Sequence, residues 1–354
     1  MDVFIGTYTV RGSAGIYRGE FDPESGALEI VGEAAADNPS FLAIGRGGSV
    51  LYAVCEREEG AVRAFAVEQS RGGLSPLGES RSTHGSAPCH LALDGTRRWI
   101  VVANYGSGGG AVFPLNRDGS LGEAVDLYQH VGSGPHPERQ ARPHAHSATF
   151  DETGRRVYVA DLGIDRIMIY ELDQRNGRLR SGRPPWADLA SGSGPRHMAF
   201  HGGQAFVINE LASTIAGFRH DPATGELTGV HTVSTLPPGF TGENTCADIH
   251  VHPGGRFVYG SNRGHDSIAV FSLDRERGEL APAGHAAAGI AWPRGFALDP
   301  SGRFLLAANK NGDDIVTFAV NQATGLLDPT GSRCRVPSPV CVVFADAASG
   351  GATP

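Results

Sequence analysis

Four ionisable side chains of this 354-residue chain could together carry out acid–base chemistry on an anion: His146, Arg196, Glu210 and Arg263. A histidine and a carboxylate offer a proton acceptor and a proton donor. Two guanidiniums offer bidentate anion binding and stabilisation of developing negative charge. The four are widely separated in sequence, so the fold must bring them together. The competing reading is structural, with Glu210 serving only as counter-ion to Arg196 or Arg263.

The elements that would position them repeat. The tripeptide Gly-x-Leu occurs at Gly26–Leu28, Gly72–Leu74, Gly119–Leu121, Gly177–Leu179, Gly225–Leu227, Gly278–Leu280 and Gly325–Leu327. Ahead of each lies a strand-like run such as GIYRGEF, IMIYEL or IAVFSL. A spacing of roughly 46 to 58 residues with strands in every repeat predicts a β-propeller. The expected fold class is all-β: a seven-bladed β-propeller of four-stranded antiparallel blades.

A second register supports the first. Segments such as NPSFLAIGRGG, GPRHMAFHGGQ and WPRGFALDPSGR run from an anchor through an apolar strand into a tight turn. The anchors are Pro39, Pro88, Ala145, Pro195, Cys246, Pro293 and Pro339. A second strand follows and ends in a polar residue, as in IVVANY, AFVINE and LLAANK. The chain begins with a second-type strand and ends with a lone first-type strand. The N-terminal strand around Val3–Tyr8 is therefore expected to pair with the C-terminal strand around Val340–Phe344 in one shared blade, closing the ring. A single domain over residues 1–346 is expected, with a frayed tail at 347–354.

Equivalence between repeats ranks the polar residues. The position after each anchor holds Ser40, Cys89, His146, Arg196, Ala247, Arg294 and Val340. The position after each second strand holds Tyr8, Glu56, Tyr105, Leu162, Glu210, Arg263 and Lys310. The first strand starts and the antiparallel second strand ends at the same end of a blade. Both sets should ring one mouth of the central channel, with His146, Arg196, Glu210 and Arg263 on one arc.

Other features are less informative. His144-x-His146 and His250-x-His252 have same-face spacing, but no Cys or acidic partner stands nearby at metal-ligand spacing. No metal or cofactor is expected. The GSGGG run at Gly106–Gly110 lacks the Lys-Ser/Thr of a phosphate loop. There is no G-x-S-x-G nucleophile elbow. Asp248 is expected in a turn or cap role. A formal charge of −8 argues against nucleic acid as partner, and no apolar stretch is long enough for a membrane span. Five scattered cysteines and an opening MDVFIGTYT that already reads as a strand point to a cytoplasmic protein. Nothing in the sequence sets an oligomeric state.

The segments PHAHSATFDETGRRVYVADLGIDRI, GPRHMAFH with INEL, and ADIHVHPGGRFVYGSNRGHDSIAVF resemble the seven-bladed propeller lactonase family. The resemblance runs from IGTYT to the last anchor strand. The family includes bacterial 6-phosphogluconolactonases and a fungal carboxy-cis,cis-muconate cyclase. In the cyclase a His, two Arg and a Glu form the proposed active site. By motif these fall on His146, Arg196, Arg263 and Glu210, the same four residues. The resemblance also implies that Arg139 and Gln140, in PERQ, wall the pocket. His144, in PHAH, and Arg294, in the ring of positions after the anchors, complete the expected substrate-binding set. The implied function is hydrolysis of a small anionic sugar lactone, most plausibly 6-phosphogluconolactone. The alternatives are a muconate-type lactonising isomerase and a non-enzymatic binding scaffold.

Overall fold

The computed structural model describes residues 1–68 and 73–345. Gly72 and the tail expected at 347–354 lie outside the described residues. Seven antiparallel sheets are arranged around a channel. Their innermost strands are Leu42–Ile44, Pro88–Leu93, Ala145–Phe150, Pro195–His201, Thr245–Val251, Pro293–Leu298 and Pro339–Phe344. Each touches the next in order, and Pro339–Phe344 touches Leu42–Ile44, so the circle is complete. Six sheets have four strands. In the seventh the outer edge is split into Leu74–Pro76 and Arg81–Ser82, both paired with Ala61–Val67.

The clasp forms as the repeat phase requires. Asp2–Thr7 lies between Gly15–Phe21 and the C-terminal Pro339–Phe344, in the register Val3↔Phe344, Ile5↔Val342 and Gly6↔Cys341. Both of its faces are covered. Val3, Ile5, Val342 and Phe344 pack with Phe304 and Leu306 of the preceding blade. Phe4 and Cys341 pack with Leu51 and Phe65 of the following one. Burial on both faces explains why the strands read as nearly continuous apolar runs.

The Gly-x-Leu repeat has a steric cause. Gly26, Gly119, Gly177, Gly225, Gly278 and Gly325 all have φ between 73° and 86°, the left-handed region open to glycine. These turns also press on a neighbouring blade. A Cβ on Gly177 would sit 2.3 Å from the Trp99 ring, and one on Gly325 would sit 2.5 Å from Phe257. The left-handed backbone calls for glycine at these six turns, and at Gly26, Gly119, Gly177, Gly225 and Gly325 close approach to a neighbouring blade reinforces it.

One feature of the inner strands aims side chains at the channel. The ladder slips at the residue after the anchor: Pro195 pairs with Asn209 and His197 with Ile208, leaving Arg196 unpaired between them. The same slip leaves out Cys89, His146, Arg294 and Val340. In Thr245–Val251 it spans Ala247 and Asp248. A β-bulge of this kind puts two residues opposite one and turns the extra side chain out of the pleat.

Removing residues 339–354 takes out an innermost strand that seals two blade interfaces. The truncated protein is expected to lose its cooperative thermal transition, which circular dichroism would record. A truncated chain that melts like the parent contradicts the clasp. The milder Phe344→Ala change should cost about 3–5 kcal/mol, the usual figure for emptying a buried aromatic site.

Candidate active site at the channel mouth

Residues after the second strands are tied to the turns that enter the inner strands. The Glu210 amide donates to Gly194 O at 2.7 Å, that of Tyr105 to Ala87 O at 2.9 Å, and that of Lys310 to Trp292 O at 3.2 Å. The expected ring is therefore present, and the four residues of the arc meet. Glu210 is at their centre, only 3% exposed. Its Oε2 accepts from Arg196 Nε at 3.0 Å and lies 2.8 Å from Arg263 Nη2. Its Oε1 pairs with Arg139 Nη2. His146 Nε2 lies 3.9 Å from Glu210 Oε2.

Burial alone would raise the carboxyl pKa. The guanidiniums of Arg263, Arg196 and Arg139 outweigh it and lower the value to about 2, so Glu210 is ionised. It is thus the counter-ion that the structural reading expected, shared among three arginines rather than paired with one. Burial and the nearby Arg196, His197 and Arg294 push the pKa of His146 well below 6.5, which makes its imidazole neutral at pH 7. Its Nδ1 is 3.5 Å from the sulfur of Cys89. Burial raises the pKa of that thiol to about 12.

Arg196 is the most enclosed of the cations, 1% exposed. Burial, then Arg263 and Arg294, lowers its pKa to about 10, so it stays charged. Besides Glu210 it donates to Ala247 O at 2.6 Å and to His197 Nε2 at 3.1 Å. His197 in turn donates from Nδ1 to Asp248 Oδ1 at 2.8 Å. That tautomer agrees with a His197 pKa lowered to about 4 by burial and by Arg196. Arg263 donates to Cys246 O at 2.6 Å, and its guanidinium faces the Trp292 ring at 6.0 Å.

The remaining expected residues divide. Arg139 belongs to the cluster, reaching Tyr105 Oη at 3.3 Å as well as Glu210. Arg294 lies across the mouth, 3.5 Å from Glu56 Oε2 and 5.0 Å from the Tyr8 ring centre. His144 and Gln140 are both engaged in the wall of the site. The His144 ring stacks on Tyr105 at 4.5 Å, and its Nδ1 donates to Tyr105 O at 2.8 Å. Gln140 is fully buried, donates to Leu162 O and Asp165 Oδ1, and accepts from the His136 amide. Gln140 braces the loop through both side-chain polar atoms, and His144 braces Tyr105 through its ring face and Nδ1.

Sequence reasoning passed over His197 and read Asp248 too weakly. Asp248 is no simple turn cap. It bridges His197 and His250 and accepts from the Phe296 amide at 3.2 Å. The signal was one place further along the equivalence, where the second position after the anchor holds His90, His197 and Asp248. The second His-x-His pair is likewise committed elsewhere, His250 to Asp248 and His252 to Gly302 O. A cavity of about 490 Å³ also opens into the channel, lined by Phe41, His90, His250, Phe296 and Val342 among others. Its wall runs from Pro253 and Pro300, in the turns at the far end of the inner strands, to His197, Asp248 and Arg294, and includes none of Glu210, Arg196, Arg263 or His146. This cavity extends toward the turn end of the inner strands, away from the Glu210 cluster.

The sequence pattern of the family described as Lactonase, 7-bladed beta-propeller, matches residues 2–344. The chain belongs to the seven-bladed β-propeller lactonases. It is 39% identical over 345 residues to a 6-phosphogluconolactonase of Bacillus subtilis, covering 96% of this chain and 97% of that one. A 6-phosphogluconolactonase of Formosa agariphila is 30% identical over 307 residues, 84% of this chain and 86% of that protein. Among solved structures, the periplasmic gluconolactonase of Pseudomonas aeruginosa superposes with a TM-score of 0.91 at 30% identity, covering 97% and 98% of the two chains. Lactonases with this blade architecture thus span names with and without the phosphate.

Glu210 is held ionised by its arginines, and the linked stability can be measured. Its folded pKa is depressed, so the stabilisation is present above the unfolded value near 4.5 and is lost as pH falls through about 2. A shift of that size corresponds to about 3 kcal/mol. Glu210→Gln should therefore destabilise the protein by about 3 kcal/mol at pH 7 in denaturant titrations, and the gap should close between pH 4.5 and 2. A gap independent of pH contradicts the network.

Proposed function

We propose that the chain hydrolyses the ring ester of 6-phosphogluconolactone to give 6-phosphogluconate. The observation that carries this is the ionised Glu210, framed by Arg139, Arg196 and Arg263, with a neutral His146 at 3.9 Å. The names of the Bacillus subtilis and Formosa agariphila relatives support the substrate. Neither the lactonising-isomerase nor the scaffold alternative is favoured, because these relatives are named as lactone hydrolases. Five free cysteines fit a reducing cytoplasm as the place of reaction. No helix among the described residues is long and apolar enough to cross a membrane.

The roles follow from charge. A gap of 3.9 Å between Glu210 Oε2 and His146 Nε2 suits a water bridging the two. Protonating Glu210 would leave three guanidiniums without their anion, so Glu210 orients the water and His146 takes its proton. The water oxygen adds to the lactone carbonyl carbon. The oxyanion that forms is stabilised by the half-exposed side of the arginine cluster, at Arg139 and Arg263. As the carbonyl re-forms, the ring C–O bond breaks and the proton passes from His146 to the departing ring oxygen, which becomes a hydroxyl. Arg196 is too enclosed to meet substrate and positions Glu210 instead.

His146→Asn should lower kcat by roughly two to four powers of ten, the usual contribution of a general base. Glu210→Gln should be milder. A reversed order in a pH-stat assay would give Glu210 the proton, and near-parental turnover in both variants would make the mouth structural. The pH profile is a separate check. His146 is neutral down to well below pH 6.5, so kcat/KM should stay level from neutral pH past 6.5 and fall only in more acid solution. A loss centred at or above pH 6.5 contradicts the assignment of His146.

A further inference from the structure

Across the mouth from Glu210, two cations face one aromatic ring, one of them paired with Glu56 and the other with no ion pair among the described residues. Lys310 Nζ is 5.9 Å from the centre of the Tyr8 ring, and the Arg294 guanidinium is 5.0 Å from it. Lys310 Nζ makes no hydrogen bond or ion pair with any described residue. Its pKa is lowered by burial and then by Arg294, Arg11 and Arg263, so its charge sits in a field of like charges. Arg11 reaches over from the loop after Asp2–Thr7, donating to Lys310 O at 3.2 Å and pairing with Asp313 at 3.2 Å. The nearest carboxylate to Arg294 is Glu56 at 3.5 Å, and Glu56 also accepts from Tyr8 Oη and Ser40 Oγ. Like charges gathered at an opening of an otherwise acidic protein are stable only with an anion between them.

The sequence alone offered Arg196 and Arg263 as anion ligands. Arg196 is enclosed and committed to Glu210, Ala247 O and His197. Arg263 is committed to Glu210 and Cys246 O. With Arg139 and Arg263 serving the oxyanion, Lys310 and Arg294 are left to meet a second anionic group. Lysine suits a phosphate as a mobile point charge with three donors.

We propose that Lys310 and Arg294 form a phosphate subsite distinct from the hydrolytic cluster, setting preference for a phosphorylated over a plain lactone. The proposal rests on the lactonase reading above. The lactone ring then lies at Glu210 and His146, and the phosphate ester lies over Tyr8. The part of the substrate that does not react fixes the part that does.

The test is the ratio of kcat/KM for 6-phosphogluconolactone to that for the unphosphorylated gluconolactone. In Lys310→Met this ratio should fall roughly 10- to 100-fold, the range for losing a charge-assisted contact, mainly through KM of the phosphorylated lactone. Lys310→Arg should restore most of it. Lys310 is half-exposed, so neither change threatens the fold. An unchanged ratio overturns the subsite, even if both rates fall together. If the parent hydrolyses neither lactone, the activity assignment has failed, and calorimetric titration with inorganic phosphate then decides the subsite. Binding to the parent that Lys310→Met weakens upholds it, and equal binding or none overturns it.

Discussion

A carboxylate taken out of water is tolerable only when enough positive charge surrounds it, and guanidiniums taken out of water need an anion in return. At the mouth of this channel Glu210 and the arginines Arg139, Arg196 and Arg263 satisfy both requirements at once. The arrangement draws on two successive blades and on the loop that leads into the blade before them. Arg196 comes from a bulge at the start of one inner strand, Glu210 from the end of the strand beside it, and Arg263 from the same position one blade on. None of these residues could hold its place without the others. His146 gains its neutrality from the same charges, since burial and Arg196 disfavour an imidazolium. A chemical property of one side chain is thus set by the closure of a ring of sheets.

Behind Arg196 runs a second line of support. Asp248 fixes the tautomer of His197, whose Nε2 then accepts from Arg196. This chain explains how a guanidinium 1% exposed keeps its orientation. It also separates the two ends of the channel. One end carries the charges and the positions after the second strands. Toward the other lies an apolar cavity with Phe41, Phe296 and Val342 in its walls. The reactive end is marked by charge, by burial and by the bulges that turn residues toward it.

The blade count, the shared closing blade and the arc of four residues were legible in the sequence, because the same backbone geometry recurs in every repeat. Gly-x-Leu marks a turn that requires a left-handed glycine, and the anchor marks the entry to an inner strand. Residues at matching places therefore face matching ways. The bulge after the anchor was not legible, since a one-residue slip in a ladder leaves no compositional mark. It explains why that position, and not its neighbours, points into the mouth. His197 was missed, and Asp248 was read only as a turn or cap, because they act on other side chains from within the wall. Gln140 and His144 show the converse. They flank the site in sequence, yet Gln140 braces the loop and His144 braces Tyr105. Nothing in their spacing separates a residue that faces a pocket from one that holds its rim.

The central claim is that the charged mouth, and not the apolar cavity toward the turn end, is where the lactone reacts. A crystal structure with 6-phosphogluconate bound tests it most directly. The account predicts the product at the mouth, with its carboxylate beside Glu210 and His146 and its phosphate toward Lys310 and Arg294. Product seated in the cavity walled by Phe41, His250 and Phe296, with the mouth unchanged, would contradict it.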